Sequence, residues 1–147
     1  MTKRLFISWA MLFISWQVLA QKAEVFSNAD GAIRGYDAVA YFTESKPVKG
    51  KTEFSYEWNK ATWYFSNAEN LNTFKAAPEK YAPQFGGYCA YGLSEGHKAP
   101  TQPDAWTIVD NKLYLNYNTK VKERWNENKE ERIRKANDKW VELKDQE

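Results

Sequence analysis

Cys89 and His97 are the only thiol and the only imidazole in this 147-residue chain, so any chemistry that needs a soft ligand, a nucleophilic sulfur or a titrating ring falls on them. Both lie in Gly86-Gly87-Tyr88-Cys89-Ala90-Tyr91-Gly92-Leu93-Ser94-Glu95-Gly96-His97. A structural zinc site wants four nitrogen or sulfur ligands, which one pair cannot supply. Cu(I) prefers thiolate and accepts low coordination, so Cys89 first and His97 second are chemically sufficient for a copper site. Copper is therefore the favoured metal. A redox thiol would use Cys89 alone; it needs exposure and a lowered pKa, and without a second cysteine it depends on an external thiol. A hydrolase would need a third group to orient the imidazole, and none is marked. Covalent haem attachment requires Cys-x-x-Cys-His, which is missing, while a flat ligand held by His97 among aromatic rings stays open. Beside these stands the plain alternative of a small buried cysteine and a solvated histidine.

Asp37, Tyr36, Tyr88, Tyr91 and Trp106 are the ligand-pocket candidates. For each there is a structural alternative: an Asp after Gly-Tyr commonly serves a turn or cap, and tyrosines commonly pack in a core with the hydroxyl at its edge. No catalytic set is assigned, and the expectation is a protein that is not an enzyme.

These residues need a scaffold and a compartment. Met-Thr-Lys-Arg, an apolar run from Leu5 to Leu19 and Val18-Leu19-Ala20 before Gln21 read as a secretory signal peptide cleaved after Ala20. The run contains Ser8, Ser15 and Gln17 and is short of the roughly 20 apolar residues of a membrane span. Cleavage would remove Lys3 and Arg4, leaving equal numbers of basic and acidic residues. A balance near zero argues against a nucleic-acid binder, which needs excess cations to displace counterions from phosphates. The expected organisation is a leader over residues 1–20, an N-terminal arm over 21–34 and a single domain over 35–147. In a periplasmic or secreted protein, one unpaired cysteine calls for burial, a metal, a redox partner or a bridge to another chain.

Along the domain, Asn28-Ala29-Asp30-Gly31 is a turn signal and Val39-Ala40-Tyr41-Phe42 reads as a short buried strand. Phe54, Tyr56 and Trp58 alternate with polar residues, and Ala61 to Phe65 resumes strand composition after Asn59-Lys60, predicting a hairpin. Ser66-Asn67-Ala68-Glu69 has the pattern of a capping box and predicts a helix with Leu71 and Phe74 inward, ended or restarted at Pro78. The glycine-rich Cys89 segment predicts a shaped loop. Trp106–Val109 and Lys112–Leu115 flank Asp110-Asn111 as a second hairpin, and Asn118 is a candidate cap for an amphipathic, charged C-terminal helix carrying Val121, Trp125, Ile133, Ala136, Trp140 and Leu143.

Gly35-Tyr36-Asp37-Ala38-Val39-Ala40-Tyr41-Phe42, Trp63-Tyr64-Phe65-Ser66, Pro78-Glu79-Lys80-Tyr81-Ala82-Pro83, Gly86-Gly87-Tyr88-Cys89-Ala90-Tyr91-Gly92 and the Trp106 to Tyr117 hairpin together resemble the YHS domain family, in its exported, stand-alone branch. Metal-handling relatives joined to copper-transport ATPases carry thiols at positions that fall here on Ala40, Ser66 and Asn70. The resemblance implies the fold, while the family's usual thiol set is missing.

The expected fold class is α+β, with a small, mostly antiparallel sheet of two hairpins and one strand packed by the mid-chain and C-terminal helices. The expected function is that of an exported, non-catalytic binding protein, copper being the best-motivated ligand. A redox protein using Cys89 and an interaction domain with an inert Cys89 are the alternatives. Partners are a metal ion or small ligand, with no nucleic acid and no membrane anchor after cleavage.

Overall fold

A computed structural model describes residues 23–146; the expected leader lies outside them. The described residues form six α-helices and three two-stranded antiparallel sheets, so the α+β class holds. The hairpins share no ladder with one another and do not form one sheet.

The arm from Ala23 is part of the packed body. Val25 and Phe26 are buried, and the short strands β1 (Ser27–Asn28) and β2 (Gly31–Ala32) pair around the expected turn. Next comes α1 (Ala40–Thr43), where the apolar run predicts a strand. Asp37 decides the matter: its Oδ1 accepts the Val39 and Ala40 N–H groups at 2.9 and 3.1 Å and so starts a helical turn.

The predicted hairpins are present as β3 (Lys51–Trp58) with β4 (Ala61–Phe65), and β5 (Trp106–Val109) with β6 (Lys112–Leu115). Asn59-Lys60 and Asp110-Asn111 all have φ between 50° and 60°, the mirror-image turn that suits strand twist. α2 (Ala68–Ala76) and α3 (Pro78–Tyr81) follow β4. The cap of α2 is Asn67, one residue later than the capping-box reading, with its side chain accepting from the Asn70 N–H at 2.8 Å.

The glycine-rich segment is a helix as well as a loop, α4 (Ala90–Glu95), with Cys89 as N-cap and Gly96 as a left-handed C-cap. The C-terminal helix divides at Asn128 into α5 (Thr119–Glu127), capped by Asn118 as expected, and α6 (Lys129–Leu143).

Two apolar clusters result. One gathers Trp63, Phe65, Phe74, Tyr41 and Val39 under the first hairpin; the other gathers Phe85, Leu93, Trp125 and Ala136 beneath α4 and α6. β6 separates them by strand alternation: Leu113 and Leu115 enter the first cluster and Tyr114 the second. Val25 and Phe26 divide between the clusters in the same way. No helix among the described residues is long and apolar enough to cross a membrane.

Candidate functional site

Asp37 is fully buried, and its carboxylate is saturated. While Oδ1 holds the start of α1, Oδ2 accepts from the Ser66 N–H at 2.9 Å, the Ser66 hydroxyl at 2.8 Å and the Asn70 side-chain amide at 2.8 Å. Ala40, Ser66 and Asn70 are the positions on which, by the resemblance, the thiols of metal-handling relatives fall, and here all three turn a donor onto one carboxylate. The hydroxyl and the amide donate instead of ligating, and Ala40 contributes only its backbone. The donor set therefore does not fit a metal. It fits a buried anion held by charge-assisted hydrogen bonds, which ties α1 and α2 to the end of β4.

Cys89 is 2% exposed. Its Sγ accepts from the Gly92 N–H at 3.4 Å, as the cap of α4, and from the Tyr117 N–H at 3.2 Å; the thiol lies 3.5 Å from Asn116 Oδ1, to which it donates. Burial pushes the Cys89 pKa up, against the smaller opposing pull of the backbone donors from Gly92, Tyr117 and Tyr91. Asn116, also fully buried, uses the same Oδ1 to accept the Tyr91 N–H at 3.0 Å. It thus joins the second hairpin to the first turn of α4. Sequence reasoning missed Asn116, because an Asn after a strand reads as a loop residue.

His97 is exposed, one residue past the Gly96 cap. It shares a neighbour with Cys89. A Cβ on Gly92 would lie 3.2 Å from the His97 carbonyl oxygen and 3.3 Å from its Nε2, while Gly92 N–H donates to the sulfur. A side chain at 92 would have to push the His97 segment back by a few tenths of an ångström. Among the described residues, no three His, Cys, Asp or Glu side chains are placed to hold a metal ion together.

The other candidates have separate engagements. Tyr36 is half-buried with Lys49 Nζ 5.2 Å from its ring centroid. Tyr88 is buried and donates its hydroxyl to the Ala23 carbonyl at 2.6 Å. The Arg132 guanidinium stands 3.8 Å from the Tyr91 ring centroid, and Trp106 packs on Tyr41 at 5.6 Å. Of these, Tyr88 lines a shallow cavity of about 200 Å³ with Phe26, Lys98, Ala99 and Pro100.

α6 closes the region from outside. Arg132 donates to the Ser94 hydroxyl and Glu95 Oε1, both at 2.8 Å, and Lys139 donates to the Ser94 carbonyl at 2.8 Å. Lys98, mostly buried, donates to the Lys144 and Gln146 carbonyls at 2.9 Å each. The stretch after Cys89 is thereby fastened to α6 and to the residues just past its end.

A larger cavity, of about 390 Å³, opens between the β3–β4 turn, the N-terminal arm and α6, and none of its lining residues is among the ligand or metal candidates read from the sequence. Trp58 and Trp63, which border it, come from the two strands of the first hairpin, while Trp140 comes from α6, far along the chain.

The family model of the YHS domain matches residues 39–85, bearing out the resemblance over that span. The match includes Ala40, Ser66 and Asn70 and ends before Cys89. No curated protein and no solved structure matches the chain.

Proposed function

We propose that the chain is an exported, non-catalytic YHS-domain binding protein that keeps its fold without the family's metal thiols. The observation that carries this reading is the Asp37 carboxylate, which takes the donors of Ser66 and Asn70 where the metal-handling relatives have sulfur. Export rests on the leader-like first 20 residues. Catalysis finds little support at Cys89: a nucleophilic or redox thiol has to be exposed and easily ionised, whereas this one is buried with its proton held. In this reading the cysteine serves as cap and packing group.

Copper bound through Cys89 and His97 is the second reading, favoured by the Gly92 position that both residues border. The donor chemistry suits Cu(I). Binding would require Cys89 to release its proton and its donation to Asn116.

Anaerobic Cu(I) titration of the purified chain, its Cys89→Ser variant and its His97→Ala variant separates the two. The first reading predicts no stoichiometric binding that depends on either residue. Equimolar binding abolished by both substitutions would replace it with the copper site. The intact mass of chain recovered from an exporting host is expected to begin at Gln21, and an unprocessed mass would remove the assignment to an exported protein.

A further inference from the structure

The cavity of about 390 Å³ has a distinctive set of walls, of a size typical for small-molecule sites. The half-buried Trp58 and Trp140 supply aromatic surface, with the buried Trp63 and Phe85 behind them; Glu24 and Glu79 supply carboxylates, Asn59 and Gln84 supply amides, and no Lys, Arg or His is among the lining residues. Trp58 and Trp63 stand with ring centroids 5.8 Å apart and planes inclined by 57°, so the buried Trp63 backs Trp58. The Trp63 indole N–H is already satisfied by the Trp58 carbonyl at 3.0 Å. Phe85 and Trp140 meet edge to face at 6.0 Å. The floor is stiff, because Gly86 at φ +62° brings the chain so close to the arm that a Cβ there would fall 1.7 Å from the Glu24 carbonyl oxygen.

Aromatic faces carry negative potential and attract cations, most strongly those whose diffuse charge is weakly hydrated. Two carboxylates without a competing cation in the lining add attraction of the same sign. The Trp140 ring is one that accepts such a contact, with Lys98 Nζ 5.7 Å from its centroid. We infer that this cavity is a binding site for a small organic cation bearing an alkylated ammonium group, with Trp58 and Trp140 against the cationic head and Glu24 and Glu79 balancing its charge. Methyl groups on nitrogen spread the charge and lower the cost of leaving water, which suits contact with the Trp58 and Trp140 rings. The site lies apart from Cys89 and His97 and stands whether or not copper binds there.

Calorimetric titration of the full chain with choline, and with its neutral tert-butyl isostere, tests this. Glu24→Gln, Glu79→Gln and the double variant are the informative substitutions, since Glu24 is half-buried, Glu79 is exposed, and both keep their shape. Saturable one-site binding of choline is expected, with the isostere and the double variant each weaker by about tenfold or more. Absence of saturable choline binding, equal binding of the isostere, or full affinity in the double variant would each overturn the site. Choline binding unchanged by Cys89→Ser would confirm its independence from the thiol.

Discussion

The Cys89 side chain is defined by what it touches. A sulfur that caps a helix, accepts two backbone N–H groups and donates to a buried amide has a structural task that a hydroxyl could share in part, since Ser is among the preferred caps. Its raised pKa has a consequence for stability. The folded chain holds the thiol proton to higher pH than the unfolded chain does, so the contribution is complete below the unfolded value of about 8.5 and declines as pH rises through the folded one. Urea midpoints measured from pH 7 to 10 should fall for the wild type from about pH 8.5 upward. Cys89→Ser should fall less steeply over that window, and native Cys89 should react with thiol reagents far more slowly than the urea-unfolded chain. Parallel pH profiles with fast native labelling would contradict the buried-thiol account.

At the scale of elements, much of the chain was legible because local chemistry and tertiary demand agree. Both hairpins follow from strand composition flanking Asn-Lys and Asp-Asn pairs, and Asn118 caps α5 as its position suggests. The misses arise where a side chain takes a hydrogen bond that composition does not announce, in one case over a long range. Val39-Ala40-Tyr41-Phe42 has strand composition, yet Asp37 starts it as a helix. Ser66 looks like the cap of α2, but its hydroxyl goes to Asp37, 29 residues earlier, and Asn67 takes the capping task. The glycines around Cys89 read as helix breakers, while Gly96 ends α4 and Gly92 makes room for His97. Of the candidate residues, the turn-or-cap task of Asp37 was legible and its reach to Ser66 and Asn70 was not; Asn116 and the cavity beside Trp140 depend on pairings that no local spacing reveals. The division of labour at α2 is measurable. Asn67→Ala should cost about 1 kcal/mol, an ordinary cap loss, and Ser66→Ala about 1.5–3 kcal/mol, as the loss of a hydrogen bond to a charged, buried acceptor. Urea unfolding of the two variants checks the order, which a true capping role for Ser66 would reverse.

The whole molecule is two apolar clusters joined through β6 and secured by two polar anchors, Asp37 on one side and the Cys89–Asn116 contact on the other. In the metal-handling relatives named by the resemblance, sulfur occupies the positions that here feed the first anchor. Hydrogen bonding to one carboxylate thus does the joining in this chain, and the fold is expected to be independent of metal. The most direct measurement compares urea midpoints of the purified wild type before and after exhaustive chelation, alongside Asp37→Asn. Asparagine would present an amide to the Ser66, Asn70 and backbone donors and leave donors facing donors in the interior. The predicted result is an unchanged midpoint on chelation and a loss of about 3 kcal/mol or more in Asp37→Asn. A midpoint that falls on chelation and returns with added metal, or an Asp37→Asn chain as stable as the wild type, would contradict the account.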